Sequence, residues 1–579
     1  MRIVLLYPPP WKIPAPGEAP DTSGNGPPKG ATDFVMGGDF CTTPYGLLTL
    51  YAQAARAGHR VKLFNLAGFP WHDVDALIRR LDADIYGLSC FTCNRRGTAL
   101  TARCIREHHR AAHIVVGGPH VTALSCETLR HHRAIDTVVL GEGETTFLEL
   151  VGRLEAGEPT DGIAGTAWRD GAEIRVAPPR QRIEDLDSLA PVHQHFAPHV
   201  LLTSRGCPGQ CTYCASNTMW GRKLQFHSVE YVLDAMAAAA RRLPVKILQI
   251  KDDTFTCNRR RALEICRGIP DRKLNILWNC DTRADALDEE LLRAMRLAGC
   301  QVISLGVESA APEILRNVRK NVTPEQVLEA TRLARKFGFQ VRYYMMAGNR
   351  GETVETFKKS VDFLQEAKPN EFLFGVLTFY PGTEEFEIQK RAGGLTGEVF
   401  FKTDMLELWA FADASPSDAK QISRWLAQHA AVRDYWQPGV DDCRAVLERL
   451  PDLHAAHMDL GGAYFRAGQW DPAEQYVRRA MEMGYPLPSL GHNYLACIAG
   501  RRGDIEGVQA HLERAVSGGR LQLRVVRDNT DAVRAWLKDG GAKSSGPLKL
   551  AARHDFNLTT TLQQPMTPGP LPPDACDWQ

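Results

Sequence analysis

Three cysteines in Thr203-Ser-Arg-Gly-Cys207-Pro-Gly-Gln-Cys211-Thr-Tyr-Cys214 are the residues of this chain best placed to do chemistry. At this spacing three thiolates can share one tight loop and hold three irons of a cubic 4Fe–4S cluster. The fourth iron is then left without a protein ligand, which is what a cluster needs to bind and reduce a substrate instead of relaying electrons. The same thiols could instead bind zinc or stay free. Zinc sites commonly present four ligands as two close pairs, and no second pair follows at the expected distance.

The elements that must position this loop are strands and helices in alternation. Strand-like runs are Val200–Ser204, Ile247–Lys251, Ile276–Asn279, Val302–Gly306, Val341–Ala347 and Phe372–Phe379. Six βα units predict an open, partial (β/α)6 barrel with its site at the carboxyl ends of the strands. Polar residues fall at those ends: Asp252-Asp253, Asp281 with Arg283, Glu308-Ser309, Gly348-Asn349 and Tyr380-Pro381-Gly382-Thr383.

A second α/β unit precedes the barrel, over residues 1–155. Its runs Ile3–Tyr7, Val61–Asn65, Ile85–Ser89, Ile114–Gly118 and Thr137–Gly141 are short and continuously apolar. Such runs predict a doubly wound, Rossmann-like parallel sheet buried on both faces. Ligands bind these sheets outside the carboxyl ends of the strands. Ser89, Thr92, Gly117-Gly118-Pro119-His120 and Gly141-Glu142-Gly143-Glu144 collect there, and glycine lets a ligand approach the backbone. Cys90 and Cys93 form a CxxC at the end of the third strand, read either as a redox or metal pair or, more plainly, as small-residue packing. The Pro- and Gly-rich stretch from Pro8 to Gly30 is expected to be irregular, either a plain loop or a flap over the ligand edge.

A chain of 579 residues exceeds one core and predicts about three to four domains. The expected division is residues 1–155, a linker over 156–199 with a hairpin around Asp170-Gly171, the barrel over 200–395, a helical extension over 396–450, helical repeats over 451–520 and an irregular tail over 521–579. A net charge of +1 gives no basic surface for nucleic acid. No run approaches the roughly 18 apolar residues of a membrane span, and the first apolar stretch is too short for a signal peptide. Fifteen cysteines in so large a chain suit a reducing cytoplasm. In the tail, Leu460-Gly-Gly-Ala-Tyr464, Trp470-Asp-Pro-Ala473 and Ala480 recur in outline as Leu495-Ala496, Arg502-Gly-Asp504 and Ala515. That offset, about 35 residues, is close to the tetratricopeptide helix-pair period. The repeats are either a protein-interaction module that recruits a peptide or carrier-bound substrate, or a helical cap on the barrel.

The CxxxCxxC spacing directly after an apolar run resembles the signature of the radical S-adenosylmethionine (SAM) enzymes. Thr43-Pro-Tyr-Gly-Leu-Leu-Thr-Leu-Tyr51, Ala57-Gly-His-Arg-Val61, Asp84–Ser89, Val115–His120 and Gly141–Glu144 together resemble the cobalamin-binding domain attached to many of them, and Ile183–Pro191 resembles their interdomain linker. One departure is the absence of an Asp-x-His-x-x-Gly segment. Asn65-Leu-Ala-Gly68 stands in its place, which implies cobalamin held without a protein histidine on its lower face.

The resemblance, to class B radical SAM methyltransferases, implies three cofactors: a 4Fe–4S cluster on Cys207, Cys211 and Cys214, SAM, and cobalamin as methylcobalamin. It implies that Tyr213 lies against the SAM adenine and that Asp252 and Asp253 face the methionine amino group, where the family has Gly-Gly-Glu. Arg283 would face the methionine carboxylate, and Glu308 with Ser309 the ribose. Ser89, Thr92, Gly117, Gly118, His120, Gly141 and Glu142 would line cobalamin. The reaction implied is methylation of an unactivated carbon, or of phosphorus, in a small-molecule or peptide substrate. It would use a 5′-deoxyadenosyl radical and an electron donor such as flavodoxin or ferredoxin. Radical cyclisation or rearrangement, and polar methylation by methylcobalamin, need the same parts.

Overall fold

The computed structural model describes residues 1–9, 42–402, 412–516, 523–539, 548–552, 576 and 578. The expected flap lies outside the described residues from Pro10 onward, and so does most of the end of the tail.

The first sheet contains β1 (Arg2–Tyr7), β2 (Arg60–Asn65), β3 (Ile85–Ser89), β4 (His113–Gly117), β5 (Thr137–Val139), β6 (Thr166–Asp170) and β7 (Glu173–Val176), in the order β2-β1-β3-β4-β5-β6-β7. The first five strands pair in parallel. Alternate side chains of these strands feed two separate cores. Val4, Leu6, Tyr86, Leu88, Ile114 and Val116 pack on one face, and Ile3, Leu5, Tyr7, Ile85 and Val115 on the other. Burial on both faces is why the runs are apolar throughout rather than alternating. The order reverses between β1 and β3, so the crevice at their carboxyl ends is the ligand position of a doubly wound sheet.

The hairpin expected in the linker belongs to this sheet. β6 pairs antiparallel with β5, from Val139↔Thr166 to Thr137↔Trp168, and β7 continues outward. The hairpin covers the edge that β5 would otherwise expose, so the first unit extends beyond residue 155.

The second sheet contains β8 (Val200–Leu201), β11 (Ile247–Ile250), β12 (Leu277–Thr282), β13 (Cys300–Glu308), β14 (Gln340–Ala347), β15 (Glu371–Val376) and β16 (Ala431–Val432); β9 (Ser204–Arg205) and β10 (Gln225–Phe226) form a separate antiparallel ribbon. Each of the six parallel strands lies beside its sequence neighbour. This is the simple order of an open barrel of βα units. The antiparallel β16 covers the β15 edge.

Two helical hairpins follow, His454–Arg466 with Trp470–Glu482 and Pro488–Arg501 with Ile505–Val516. Their apolar residues Ala456, Met458, Val477, Leu490 and Tyr494 join the same core as the barrel strands. The buried Arg296 of the barrel donates to the Asp459 carboxylate of the first hairpin. A shared core is what a helical cap requires. The expected irregular tail contains a helix, Arg524–Lys538, because Leu523, Val526 and Val533 recur at helical spacing and are buried. Near the chain end, Cys576 is buried in the first unit, and the Trp578 indole donates to the Asp82 carbonyl at 2.5 Å. Among the described residues no helix is long and apolar enough to cross a membrane.

Candidate active site

The cysteine loop hangs between β9 and β10. The run expected as one strand over Val200–Ser204 is divided after Leu201, because the next residues turn to a carboxylate. The Asp252 carboxylate accepts from the Thr203 amide (2.6 Å) and hydroxyl (2.6 Å) and from the Ser204 amide (3.1 Å) and hydroxyl (2.7 Å). Asp252 is 1% exposed and both of its oxygens are occupied. Burial raises its pKa, and the Thr203 and Ser204 bonds oppose that rise. Asp252 therefore anchors the start of the cluster loop, and its carboxylate is already engaged by Thr203 and Ser204. The neighbouring Asp253 accepts from the Ser216 hydroxyl and lies within electrostatic reach of Cys207 and Cys214.

The three thiols are free and half-buried. The Gly209 amide lies 3.4 Å from the Cys207 sulfur, and a Cβ at Gly209 would stand 3.3 Å from Cys207 Sγ and 3.9 Å from Cys211 Sγ. The absent side chain leaves the space between the sulfurs open. Burial raises the Cys207 thiol and pushes Cys214 up to about 11. A cluster binding here must therefore expel thiol protons, and a nearby cation assists. Arg283 supplies it. Its Nε and Nη2 are held by Asp285 at 2.9 and 2.7 Å, Nη2 also donates to the Asn321 carbonyl, and Nη1 is directed toward Gly209. Three free thiols around an open space beside a guanidinium fit a site-differentiated cluster.

The opposite wall is Tyr213 and Glu308. The Tyr213 phenol bonds the Glu308 carboxylate, and burial, followed by that charge, raises its pKa. Its ring packs against the apolar cluster that contains Met346, Leu377 and Phe379. Glu308 ends β13 with φ +67°, where the register with β14 slips, and Lys320 Nζ lies 3.2 Å from its carboxylate. A non-glycine residue held there costs on the order of 1–3 kcal/mol, and such strain concentrates at functional sites. Ser309 is turned inward. It is fully buried, lies 3.3 Å from the Ser360 hydroxyl and accepts from the Ala311 amide at 3.1 Å, next to the helix Pro312–Asn317.

On the first sheet, Ser89 and Gly117 end β3 and β4. Gly118 has φ +112°, and a Cβ there would meet the Cys90 carbonyl at 2.6 Å. The Gly141 amide donates to Thr122 Oγ1 at 3.1 Å. These four positions lie together on the carboxyl edge. Thr92 and His120 do not present free side chains. They bond each other (Oγ1 to Nδ1, 3.1 Å), both are buried, and the ring edge of His120 meets Phe400. Burial, reinforced by Arg95, lowers His120 to about 3. His120 lines a cavity of about 270 Å³ with Arg95, Arg103, His132 and Phe400. Cys90 and Cys93 are buried free thiols, raised by burial to about 12 and about 11.

Glu142 is also committed elsewhere. Its carboxylate accepts from Arg205 Nη1 at 2.7 Å and from the Ile183 amide at 2.9 Å, while Glu144 accepts from Arg205 Nη2 at 2.5 Å. Arg205 is 4% exposed and lies over the Trp220 ring at 5.0 Å. This junction joins the loop after β5 to the residue two before the first cluster cysteine. The sequence reading missed Arg205 as a site residue. Its only local signal is its place next to Gly206-Cys207, opposite an unexplained pair of glutamates.

Other contacts bring the two carboxyl edges together. The Thr122 hydroxyl lies 3.9 Å from the Met219 sulfur, and the Gly382 Cβ position is 3.0 Å from Ala123. The Tyr380 phenol, beyond β15, lies within electrostatic reach of Cys93, beyond β3.

Beyond β14, Glu352 accepts from the Gly348 amide (2.6 Å) and from Asn349 Nδ2 (3.3 Å) while 1% exposed. Burial raises it from 4.5 to about 7. The folded state therefore keeps this proton to higher pH than the unfolded chain. The stability it contributes is complete below about pH 4.5 and is lost as the pH rises through about 7. Glu352→Gln is expected to shrink the fall in barrel stability between pH 5 and pH 8 by up to about 3 kcal/mol. Urea unfolding across that range measures it, and an unchanged pH slope would contradict the assignment.

Comparison with known proteins agrees with this architecture. Residues 201–364 match the radical SAM superfamily and residues 37–151 the B12 binding domain. The chain is 33% identical over 357 residues to the uncharacterized methyltransferase PH0819 of Pyrococcus horikoshii, covering 59% of this chain and 78% of that one. It is 28% identical over 330 residues to the anaerobic magnesium-protoporphyrin IX monomethyl ester cyclase of Rubrivivax gelatinosus, covering 54% of this chain and 59% of that protein's length. Among solved structures, the radical SAM methyltransferase TsrM of Kitasatospora setae, with cobalamin and a 4Fe–4S cluster bound, superposes with a TM-score of 0.54 at 18% identity. That match covers 83% of this chain and 99% of that one, and it shows the shared fold. With its cysteine loop set against the carboxyl edge of a B12-binding sheet, the chain belongs to the cobalamin-binding radical SAM enzymes, whose cofactors are a 4Fe–4S cluster, SAM and cobalamin.

Proposed function

We propose that this enzyme methylates an unactivated carbon of a small-molecule or peptide substrate held between its two sheets. The observation that carries this reading is the apposition of the two carboxyl edges across the cluster loop, through Arg205 with Glu142 and Glu144 and through Thr122 with Met219. Bound at those edges, the cluster with SAM would supply a 5′-deoxyadenosyl radical and cobalamin would supply the methyl group. The chain's own task is to orient the reactants and exclude water. In this reading Cys207, Cys211 and Cys214 hold the cluster, Asp253 faces the SAM ammonium, and Arg283 its carboxylate. Tyr213 and Glu308 flank the adenosine, while Ser89, Gly117, Gly118 and Gly141 offer backbone to cobalamin. Flavodoxin or ferredoxin in the cytoplasm is the proposed reductant, and the helical hairpins serve as a cap.

The likeness to a protein named as a cyclase favours one second reading, radical cyclisation without methyl transfer. Anaerobic incubation of the reconstituted enzyme with methyl-labelled SAM and fractionated metabolite and peptide extracts separates the two. Label in a new product together with 5′-deoxyadenosine is the expected result. Substrate-dependent 5′-deoxyadenosine with no labelled product would establish the cyclase-type reading. Labelled product with no 5′-deoxyadenosine would indicate polar methylation.

A further inference from the structure

A second set of metal-type donors lies away from the active site, on one face of the first sheet. The helices Trp71–Arg80 and Arg95–His108 pack side by side there. Cys104 and His108 are four residues apart and so share one face of their helix. That face meets Asp75 of the neighbouring helix. Cys104 Sγ and His108 Nε2 each lie 3.2 Å from the same carboxylate oxygen, Asp75 Oδ1. All three donor atoms fall within 4.8 Å of one another.

We propose that Asp75, Cys104 and His108 form a zinc site that clamps these two helices. Zinc–ligand bonds of about 2.0–2.3 Å in tetrahedral geometry separate the ligand atoms by about 3.4–3.6 Å. To admit the ion, the two separations of 3.2 Å must open by a few tenths of an ångström and the thiol–imidazole separation, within 4.8 Å, must settle in the same range. The set joins a soft thiolate, an imidazole and a carboxylate, the donor types zinc prefers. Arg79 Nη2 holds the other carboxylate oxygen, Asp75 Oδ2, at 2.7 Å. It thereby orients Oδ1 toward the other two ligands, as outer-shell partners of zinc ligands do.

Cys104 is buried, whereas the His108 and Asp75 side chains are 27% and 29% exposed. The ion therefore has an entry path and room for water as its fourth ligand. Binding replaces the thiol S–H by S–Zn and releases that proton to solvent. The alternative is a cluster in which the thiol and imidazole simply donate to Asp75.

The test uses the full chain with iron, sulfide and cobalamin already loaded, so that the cluster cysteines are occupied. The protein is washed with EDTA, titrated with zinc sulfate and desalted, and zinc, iron and cobalt are measured per chain. The expected result is one retained zinc, with one sulfur neighbour at about 2.3 Å in zinc K-edge absorption. Cys104→Ser and His108→Ala should each weaken zinc binding at least tenfold while iron and cobalt contents stay unchanged. His108→Ala removes a partly exposed ring, so it remains informative should the buried Cys104→Ser chain fail to fold. No retained zinc, zinc retained equally by His108→Ala, or zinc without a sulfur neighbour would overturn the proposal.

Discussion

Cys211→Ala is expected to bring iron from about four per chain to near zero after reconstitution and SAM cleavage to background, while leaving cobalamin binding largely intact. A cluster held by these thiols would supply the electron for SAM cleavage, and protein side chains offer no substitute once it is lost. Cys207→Ala and Cys214→Ala should behave alike, because each of the three thiols supports one iron. The structure provides a sharper control in Cys257. This thiol follows β11, lies within electrostatic reach of Cys207, and is pushed by burial up to about 11. A closed four-thiolate metal site would recruit it. A cluster with one open iron does not need it, so Cys257→Ala should retain full iron and SAM cleavage. Iron content and visible absorption of anaerobically prepared protein decide the matter, and loss of iron in Cys257→Ala would sink the open-cluster reading.

What sequence could reveal here follows from how local the cause is. β1 and β3 are legible because both of their faces are buried, so every residue from Ile3 to Tyr7 carries the signal. The cysteine loop is legible because its spacing alone confines the three thiols. The hairpin at Asp170-Gly171 shows its turn but not its partner: nothing local states that Thr166 pairs with Val139.

The same distinction separates the acidic residues. Asp252 and Asp253 are equivalent in sequence, and only burial against Thr203 and Ser204 assigns one to the backbone and leaves the other within electrostatic reach of the cysteines. Ser309 looks like a strand-end ligand until Ser360, far along the chain, claims its hydroxyl. His120 reads as a residue that could line cobalamin, but its bond to Thr92 and its contact with Phe400 hold the ring buried. Each of these residues was visible as chemistry, and its assignment depended on a partner that sequence proximity does not reveal.

Arg205 is the extreme case, and its removal should have the second large effect. Its two partners precede it by 63 and 61 residues and belong to the other sheet. Burial alone would lower its pKa; the Glu144 and Glu142 carboxylates outweigh that and raise it, so the guanidinium stays charged. Arg205→Met keeps the apolar stem beside Trp220 but leaves two carboxylates, 8% and 5% exposed, without their cation. Breaking a buried pair in this way costs about 3–5 kcal/mol, because the remaining charges are uncompensated. The loss should appear as earlier unfolding in denaturant and as joint loss of iron and cobalt, since the junction ties Gly206-Cys207 to the β5 loop. Arg205→Lys should recover only part, because one ammonium cannot reproduce the two-pronged guanidinium contact. Adding Glu142→Gln and Glu144→Gln to Arg205→Met removes the stranded charges and should restore most of the stability. If the single variant costs less than about 1 kcal/mol, the range of an exposed pair, the junction is not what holds the two edges together. If the triple variant regains stability yet still loses cobalt, then the charges themselves, and not merely the packing, set the distance between the cluster loop and the cobalamin edge.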